Sequence, residues 1–296
     1  MAEVSSQNLT GLALYTKAAE SAASAVIDAY STSFGIAVSL LSKKYRQHVA
    51  NIYALVRVAD EIVDGSAAEA AADSSKILDE LEAHVYEAIE AKYSANLIVH
   101  AFAHTANYAG IGKDLIQPFF HSMRMDLTQT KHDQKSFEEY VYGSAEVIGL
   151  MCLNVFLVGE TRTESERAVL VAGARALGSA FQKVNFLRDL GADKDGLGRS
   201  YFPDIDPKAL TNEERDALVL DIQGELKKAA KTIPLLPAGA RRAVGVAQML
   251  FQSLNDIISI TPASRIMSER IRVPDAYKLI IATRAIFGWL PKCKKL

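Results

Sequence analysis

The sequence predicts a single all-α domain, a bundle of packed helices spanning residues 1–296. Three observations predict it. Nearly every long segment repeats its apolar residues at helical spacing. No stretch sustains strand-like alternation, and no internal repeat of fixed period is present. No low-complexity linker divides the chain, and 49% hydrophobic residues can fill one substantial core.

The elements follow in order. Thr10 to Ala29 reads as a helix preceded by cap-capable Asn8 and Thr10. Tyr30-Ser-Thr-Ser-Phe34-Gly35 interrupts it and is expected to turn, with backbone N–H groups able to face an anion. Lys44 to Val63 forms the next helix, stopped by Asp64-Gly65. Ala67 to Ala91 follows as one Ala- and Glu-rich helix. Asn96 to Tyr108 and Lys113 to Met125 are separated by Gly110 and Gly112. Thr128 to Lys135 is polar and reads as a loop, and Phe137 to Leu157 is a long apolar helix. Thr163 to Leu190 is helical, and the glycines of Gly191 to Pro203 suggest a mobile loop. Thr211 to Lys231 carries a cap and early glutamates. Ala240 to Ile260 and Pro274 to Phe287 complete the bundle.

Charge and composition exclude several functions. The net charge of −2 provides no field for nucleic acid. Cys152 and Cys293 match no metal spacing and read as free thiols in a reducing compartment. Residues 1–10 lack the layout of a signal peptide, and no uncharged apolar run reaches the roughly 18 residues of a membrane helix. A soluble, cytoplasmic protein is expected. The C-terminal Ile286-Phe-Gly-Trp289-Leu290-Pro-Lys292 mixes apolar residues with lysines; it reads equally as a frayed basic tail or as a peripheral contact with an anionic membrane surface.

The chemistry lies in two acidic stretches. Arg57-Val-Ala-Asp60-Glu61-Ile-Val-Asp64 and Asn185-Phe-Leu-Arg188-Asp189-Leu-Gly-Ala-Asp193 each place two aspartates four residues apart, on one helix face. Like charges so placed repel, and their apolar neighbours worsen the repulsion. A sequence that does this twice has a cation to hold. Oxygen-only ligands favour Mg²⁺ or Mn²⁺, which complete their shells with substrate phosphates. Asn185, Asp189 and Asp193 form an i, i+4, i+8 stripe with Gln182 on the neighbouring face. Arg188 is expected to point elsewhere and meet an anion near the metal; Arg57 can reach Asp60 or a shared ligand. A single Asp-x-x-x-Asp would be read as a solvated face. Arg57 with Asp60 has an ordinary helix-pair reading. His48, His104 and His121 show no ligand spacing and read as structural or exposed.

These motifs resemble the squalene/phytoene synthases, which join two prenyl diphosphates head to head. The pieces run from Ser31-Thr-Ser33-Phe34 and Asn51 to Asp64, through Met123-Arg-Met-Asp126-Leu127 and Tyr140-Val-Tyr142-Gly-Ser-Ala-Glu-Val-Ile-Gly149, to Phe181 to Asp193 and Gly198 to Pro203. The resemblance implies an isoprenoid-synthase type bundle with a central prenyl-diphosphate cavity. It implies Asp60, Asp64, Asn185, Asp189 and Asp193 as Mg²⁺ ligands. It implies Ser31, Thr32, Ser33, Tyr53, Arg57, Gln182 and Arg188 as diphosphate contacts, with Phe34 and Tyr140 at the substrate. The aspartates, Tyr53, Arg57 and Arg188 carry catalysis on this reading, and Ala145, Ile148, Gly149 and Cys152 set tunnel depth.

The implied reaction proceeds through a cyclopropyl diphosphate. The motif forms look most like phytoene synthases of bacteria, which couple two geranylgeranyl diphosphates, so NADPH is not expected. Dehydrosqualene or squalene synthesis from farnesyl diphosphate is the enzymatic alternative. A class I terpene cyclase would lack the Ser-x-Ser-Phe and Tyr-x-Tyr-Gly context. A non-catalytic assembly protein of the same fold would be expected to lack the metal aspartates. Oligomeric state is not legible. Ser122, where relatives commonly have glycine, and Glu146, in an otherwise apolar helix, depart from the family pattern.

Overall fold

The computed structural model describes residues 10–193 and 200–274, apart from the side chains of 32–34 and 191–193. The described chain is helical, its only bridge joining Lys131 to Ser200. α1 (Gly11–Tyr30) stops at Ser31, whose extended backbone still donates to Ile27 O at 2.9 Å. The expected turn over Tyr30 to Gly35 shrinks to that one residue, because α2 (Thr32–Ser39) starts at once. Its first turn supplies the free N–H groups that the turn was expected to supply.

α3 (Lys43–Asp64) carries the first acidic pair and ends at Gly65, whose φ of +146° only glycine adopts easily. The predicted Ala67 to Ala91 helix is two elements, α4 (Ser66–Glu69) and α5 (Ser74–Ala91). Ala71 takes a positive φ between them, and the Asp73 side chain caps α5 by accepting from Lys76 N. The Asp73 cap was the readable signal for the break. α6 (Leu97–Ala109) is capped by Asn96 and closed by Gly110; α7 (Lys113–Thr128) contains Pro118.

The predicted Phe137 to Leu157 helix is continuous but not uniform. α8 (Gln134–Val141) begins in an Asp133/Ser136 capping box, Tyr142–Glu146 forms a π-turn, and α9 (Val147–Leu157) follows. The π-turn alters the carbonyl pairing, and Ser122 of α7 donates to Tyr140 O at 3.1 Å. That bond accounts for a buried serine at this crossing. Glycines let neighbouring helices close on this segment. A Cβ at Gly143 would lie 2.1 Å from Pro118 O on α7. On the other side, a Cβ at Gly149 would meet Ala174 O at 2.8 Å, and one at Gly178 would meet Ala145 O at 2.6 Å. Both lie on the crossing with α10 (Glu164–Asp193).

α11 (Asn212–Thr232) starts in the Thr211/Glu214 capping box, and α12 (Ala238–Ile260) and α13 (Ala263–Ile266) close the described chain. Lys183 joins α10 to α11 through Asp221 at 2.6 Å and Glu225 at 2.8 Å. His48 is structural as expected: it shares a 2.9 Å hydrogen bond with Thr105 and stacks on Tyr108. Among the described residues two stretches, Gln134–Leu157 and Ala238–Ile260, are long and apolar enough to cross a membrane by length and composition alone. The first runs between α7 and α10, the place of a core helix. The expected Pro274 to Phe287 helix, Cys293 and the lysine-bearing tail lie outside the described residues.

The partly buried thiol of Cys152 is pushed up to about 12 by desolvation. It should therefore resist alkylation at pH 8 in the folded protein and react once urea is added, as read by peptide mass mapping. Rapid labelling of the native protein would contradict its burial.

Candidate active site

The first wall of the site comes from the α1–α2 junction, α3 and α7. Ser31 hydrogen-bonds the Tyr53 hydroxyl, which stands one and two turns from Arg57 and Asp60 on α3. Arg57 lies over the Tyr30 ring, 4.5 Å from its centroid, and its ion pair is with Glu61, one turn on, rather than with Asp60. Its field nevertheless favours ionised Asp60. That support is outweighed: burial first, then Asp64 and Asp126, push the Asp60 carboxyl up to about 7. Asp60, Asp64 and Asp126 thus lie close enough to act on one another, and Arg57 offsets only part of the upward push on Asp60.

Asp126, at the end of α7, belongs to the site although it is absent from the acidic pairs. It is buried and accepts from the Tyr140 hydroxyl at 2.8 Å and the Tyr201 hydroxyl at 3.5 Å. Burial and Asp126 raise the Tyr140 phenol well above its ordinary value. Tyr140 lies 5.9 Å from Phe186 of α10, and Tyr201 stacks on Phe186 at 4.0 Å. Phe186 immediately follows Asn185. The path Asp60, Asp126, Tyr140, Phe186 and Asn185 therefore brings the two acidic stretches, 121 residues or more apart in sequence, to one end of the bundle. The isolated Met-x-x-Asp126 motif was the only sequence signal for Asp126, and Tyr201 was marked only by its place in the Gly198 to Pro203 piece of the family resemblance.

The second wall is α10. The buried Oδ1 of Asn185 has no hydrogen-bond partner, an arrangement that suits a ligand oxygen awaiting a cation. Asp189 is occupied on both oxygens. Arg188 does not point away as the sequence suggested: it forks onto Asp189, its Nε donating at 2.9 Å. The rotation of 100° between adjacent helical residues is small enough for a long guanidinium to fold back. Arg270, from the segment after α13, adds a second cation at 2.7 Å. Gln182 is half-buried one turn before Asn185 and Phe186. The Asp193, Thr32, Ser33 and Phe34 side chains lie outside the described residues.

Of the residues expected from the resemblance to set tunnel depth, Ala145 is buried and Ile148 and Cys152 are partly buried against the core. Gly149 sits where α9 meets Ala174, so a large residue there would push the helices apart before it filled a tunnel. Glu146, unexplained by sequence, pairs with Arg175 of α10 at 2.5 Å, and Arg175 lies over the Tyr142 ring. The pair clamps the π-turn to α10.

The residues fit divalent cations: two walls supply carboxylate and amide oxygens, one carboxyl is strained by like charge, and one amide oxygen is orphaned. Among the described residues no cluster of three Asp, Glu, His or Cys is closed around a metal position. Arg188 and Arg270 already hold Asp189.

This helical architecture, with acidic motifs on separate helices at one end, is the isoprenoid synthase fold. A crystal structure of a dehydrosqualene synthase in complex with ligand superposes with a TM-score of 0.76 at 21% identity, covering 93% of this chain and 98% of that one. The squalene/phytoene synthase pattern matches residues 27–274, and the chain belongs to that family. It is 33% identical over 180 residues to phytoene synthase 3 of Zea mays, covering 59% of this chain and 40% of the maize protein. It is 28% identical over 284 residues to phytoene synthase of Daucus carota, covering 88% of this chain and 69% of the carrot protein. The alignment thus spans less than half of the maize relative's own length.

Proposed function

We propose that this protein condenses two geranylgeranyl diphosphates head to head into phytoene, as a step toward carotenoids. The observation that supports it is the convergence of Asp60, Asp64 and Asp126 with Asn185 and Asp189 at one end of an apolar bundle. Similarity to proteins named phytoene synthase supports the choice of product.

Asp60, Asp64, Asn185 and Asp189, with Asp193, would hold Mg²⁺. Held there, divalent cations would supply the positive charge that a diphosphate leaving group needs. The remaining work falls to side chains. Arg57 and Arg188 bind diphosphate oxygens, and the Ser31–Tyr53 pair orients the first turn of α2 toward the same anion. Asp126 fixes the Tyr140 and Tyr201 rings, so the wall offers aromatic faces to an allylic cation. Ala145 and the apolar neighbours of α9 exclude water that would quench it.

The test is a product assay. Purified protein with Mg²⁺ and geranylgeranyl diphosphate should yield a C40 hydrocarbon without NADPH. A C30 product made only from farnesyl diphosphate would move the assignment to dehydrosqualene synthesis, or to squalene synthesis if NADPH were required. No product from either substrate, with folded protein and metal present, would favour the non-catalytic assembly role.

A further inference from the structure

We infer that His132 is a positioning residue that seals the aromatic wall of the site against water, an inference that rests on the function proposed above. Of the polar loop 128–135, only His132 is buried, at 9% exposure, and its neighbours Lys131 and Asp133 are both exposed. The imidazole therefore stands at the boundary between solvent and the wall formed by Asp126, Tyr140 and Tyr201. The Lys131–Ser200 bridge sets its register. Ser200 N donates to Thr130 O at 2.8 Å, and the parallel pairing of Lys131 with Ser200 places His132 beside Tyr201.

His132, Tyr201 and Phe186 form a near-parallel series of rings. His132 is tilted 14° from Tyr201 with centroids 5.9 Å apart, and Tyr201 is tilted 8° from Phe186 at 4.0 Å. Tyr140 leans on the series, 5.1 Å from His132 and 5.3 Å from Tyr201. All these separations lie where aromatic contacts are favourable. The Tyr201 hydroxyl stands 3.5 Å from Asp126, the long limit of a hydrogen bond, so ring contacts carry much of its placement. Without the imidazole, Tyr201 keeps Phe186 but loses its parallel neighbour at the solvent boundary. Water entering there meets the allylic cation. Its oxygen bonds to the carbon that lost diphosphate and its proton leaves to solvent, giving a prenyl alcohol in place of the carbon–carbon bond. His132 thus favours hydrocarbon over alcohol through Tyr201 and Tyr140, without touching the substrate. Its place among Lys131, Asp133 and Gln134 reads in sequence as one more solvated loop residue.

Hydrogen–deuterium exchange over residues 200–205 of the full chain tests it, read beside product analysis with geranylgeranyl diphosphate and Mg²⁺. His132→Ala should speed exchange at Tyr201 and Phe202 about threefold to tenfold, the scale of one lost aromatic contact. The same variant should raise the share of prenyl alcohol about threefold or more and lower kcat for hydrocarbon about tenfold. KM should stay within about twofold of the wild type, because the diphosphate ligands are untouched. His132→Phe keeps a flat ring and should return exchange and alcohol share close to the wild type. Unchanged exchange or an unchanged alcohol share in His132→Ala would overturn the inference. A Phe variant no better than the Ala variant would overturn it too, as would lost turnover in both at a constant alcohol share, the mark of a merely structural role. In each of these cases hydrocarbon formation by the wild type would leave the proposed function standing. Wild-type protein that formed no hydrocarbon would overturn that function and the sealing role with it.

Discussion

Replacing Asp60 by Asn should lower turnover at least about a thousandfold, a loss of roughly 4 kcal/mol of transition-state stabilisation. It should also raise the thermal stability of the metal-free protein. Both effects have one cause. Burial and the neighbouring Asp64 and Asp126 hold the Asp60 carboxyl at about 7 in the fold, against 3.8 ordinarily. The folded state thus prefers the protonated form, and the stability it contributes is lost as pH rises from about 4 through about 7. At pH 8, in chelator, the wild type carries the full electrostatic cost, on the order of a few kcal/mol, and the Asn variant does not. The variant should melt several degrees higher at pH 8, with the gain shrinking toward pH 5. Equal melting at both pH values would show that the carboxylates are not crowded. Undiminished turnover would remove Asp60 from the metal site. A residue that costs stability and supplies activity is what a binding site for an absent cation requires.

Gly143→Ala should be the most damaging single methyl group in the bundle. The added Cβ would lie 2.1 Å from both Pro118 O and Ser122 Oγ. The serine could rotate, giving up its bond to Tyr140 O, but the carbonyl is backbone and moves only with α7. Overpacking of this kind costs about 1–3 kcal/mol or more, against roughly 1 kcal/mol gained from alanine's helix preference. With the Ser122 bond also lost, a net cost of about 2–4 kcal/mol and a melting point lower by about 5–10 °C are expected. Turnover should fall as well, because the shifted π-turn carries Tyr140 away from Asp126. Adding Ser122→Gly should restore the stability only incompletely, since the clash with Pro118 O remains. An unchanged melting curve would mean that α7 and the π-turn are not in close contact.

How much of the site was legible differs by residue. Asp60 and Asp64 declare themselves by spacing within an apolar run, as do Asn185 and Asp189. Asp126 carries no local signal beyond its motif, because one aspartate at the end of an amphipathic helix looks like any solvated acid. Only the fold buries it between two phenols and beside Asp60. Arg188 was legible as a residue and misread in direction: helical rotation predicts where a Cβ points, not where a flexible guanidinium finds the nearest uncompensated charge. Gly149 likewise reads as room for substrate, whereas the close approach of α10 makes it room for a backbone.

By itself the sequence determined the helical class, most helix positions, the caps at Asn96 and Thr211, and the two acidic stretches. These are local properties, set by apolar period, cap chemistry and spacing within a few turns. Only the tertiary structure decided that a π-turn divides the central apolar helix and that Glu146 answers Arg175. It alone placed Asp126 with Asp60, and Arg270 on Asp189. Those outcomes depend on which helices pack together, on how closely glycines let them approach, and on which buried charges then lack a partner. Such quantities involve residues far apart in the chain, and no window of sequence contains them.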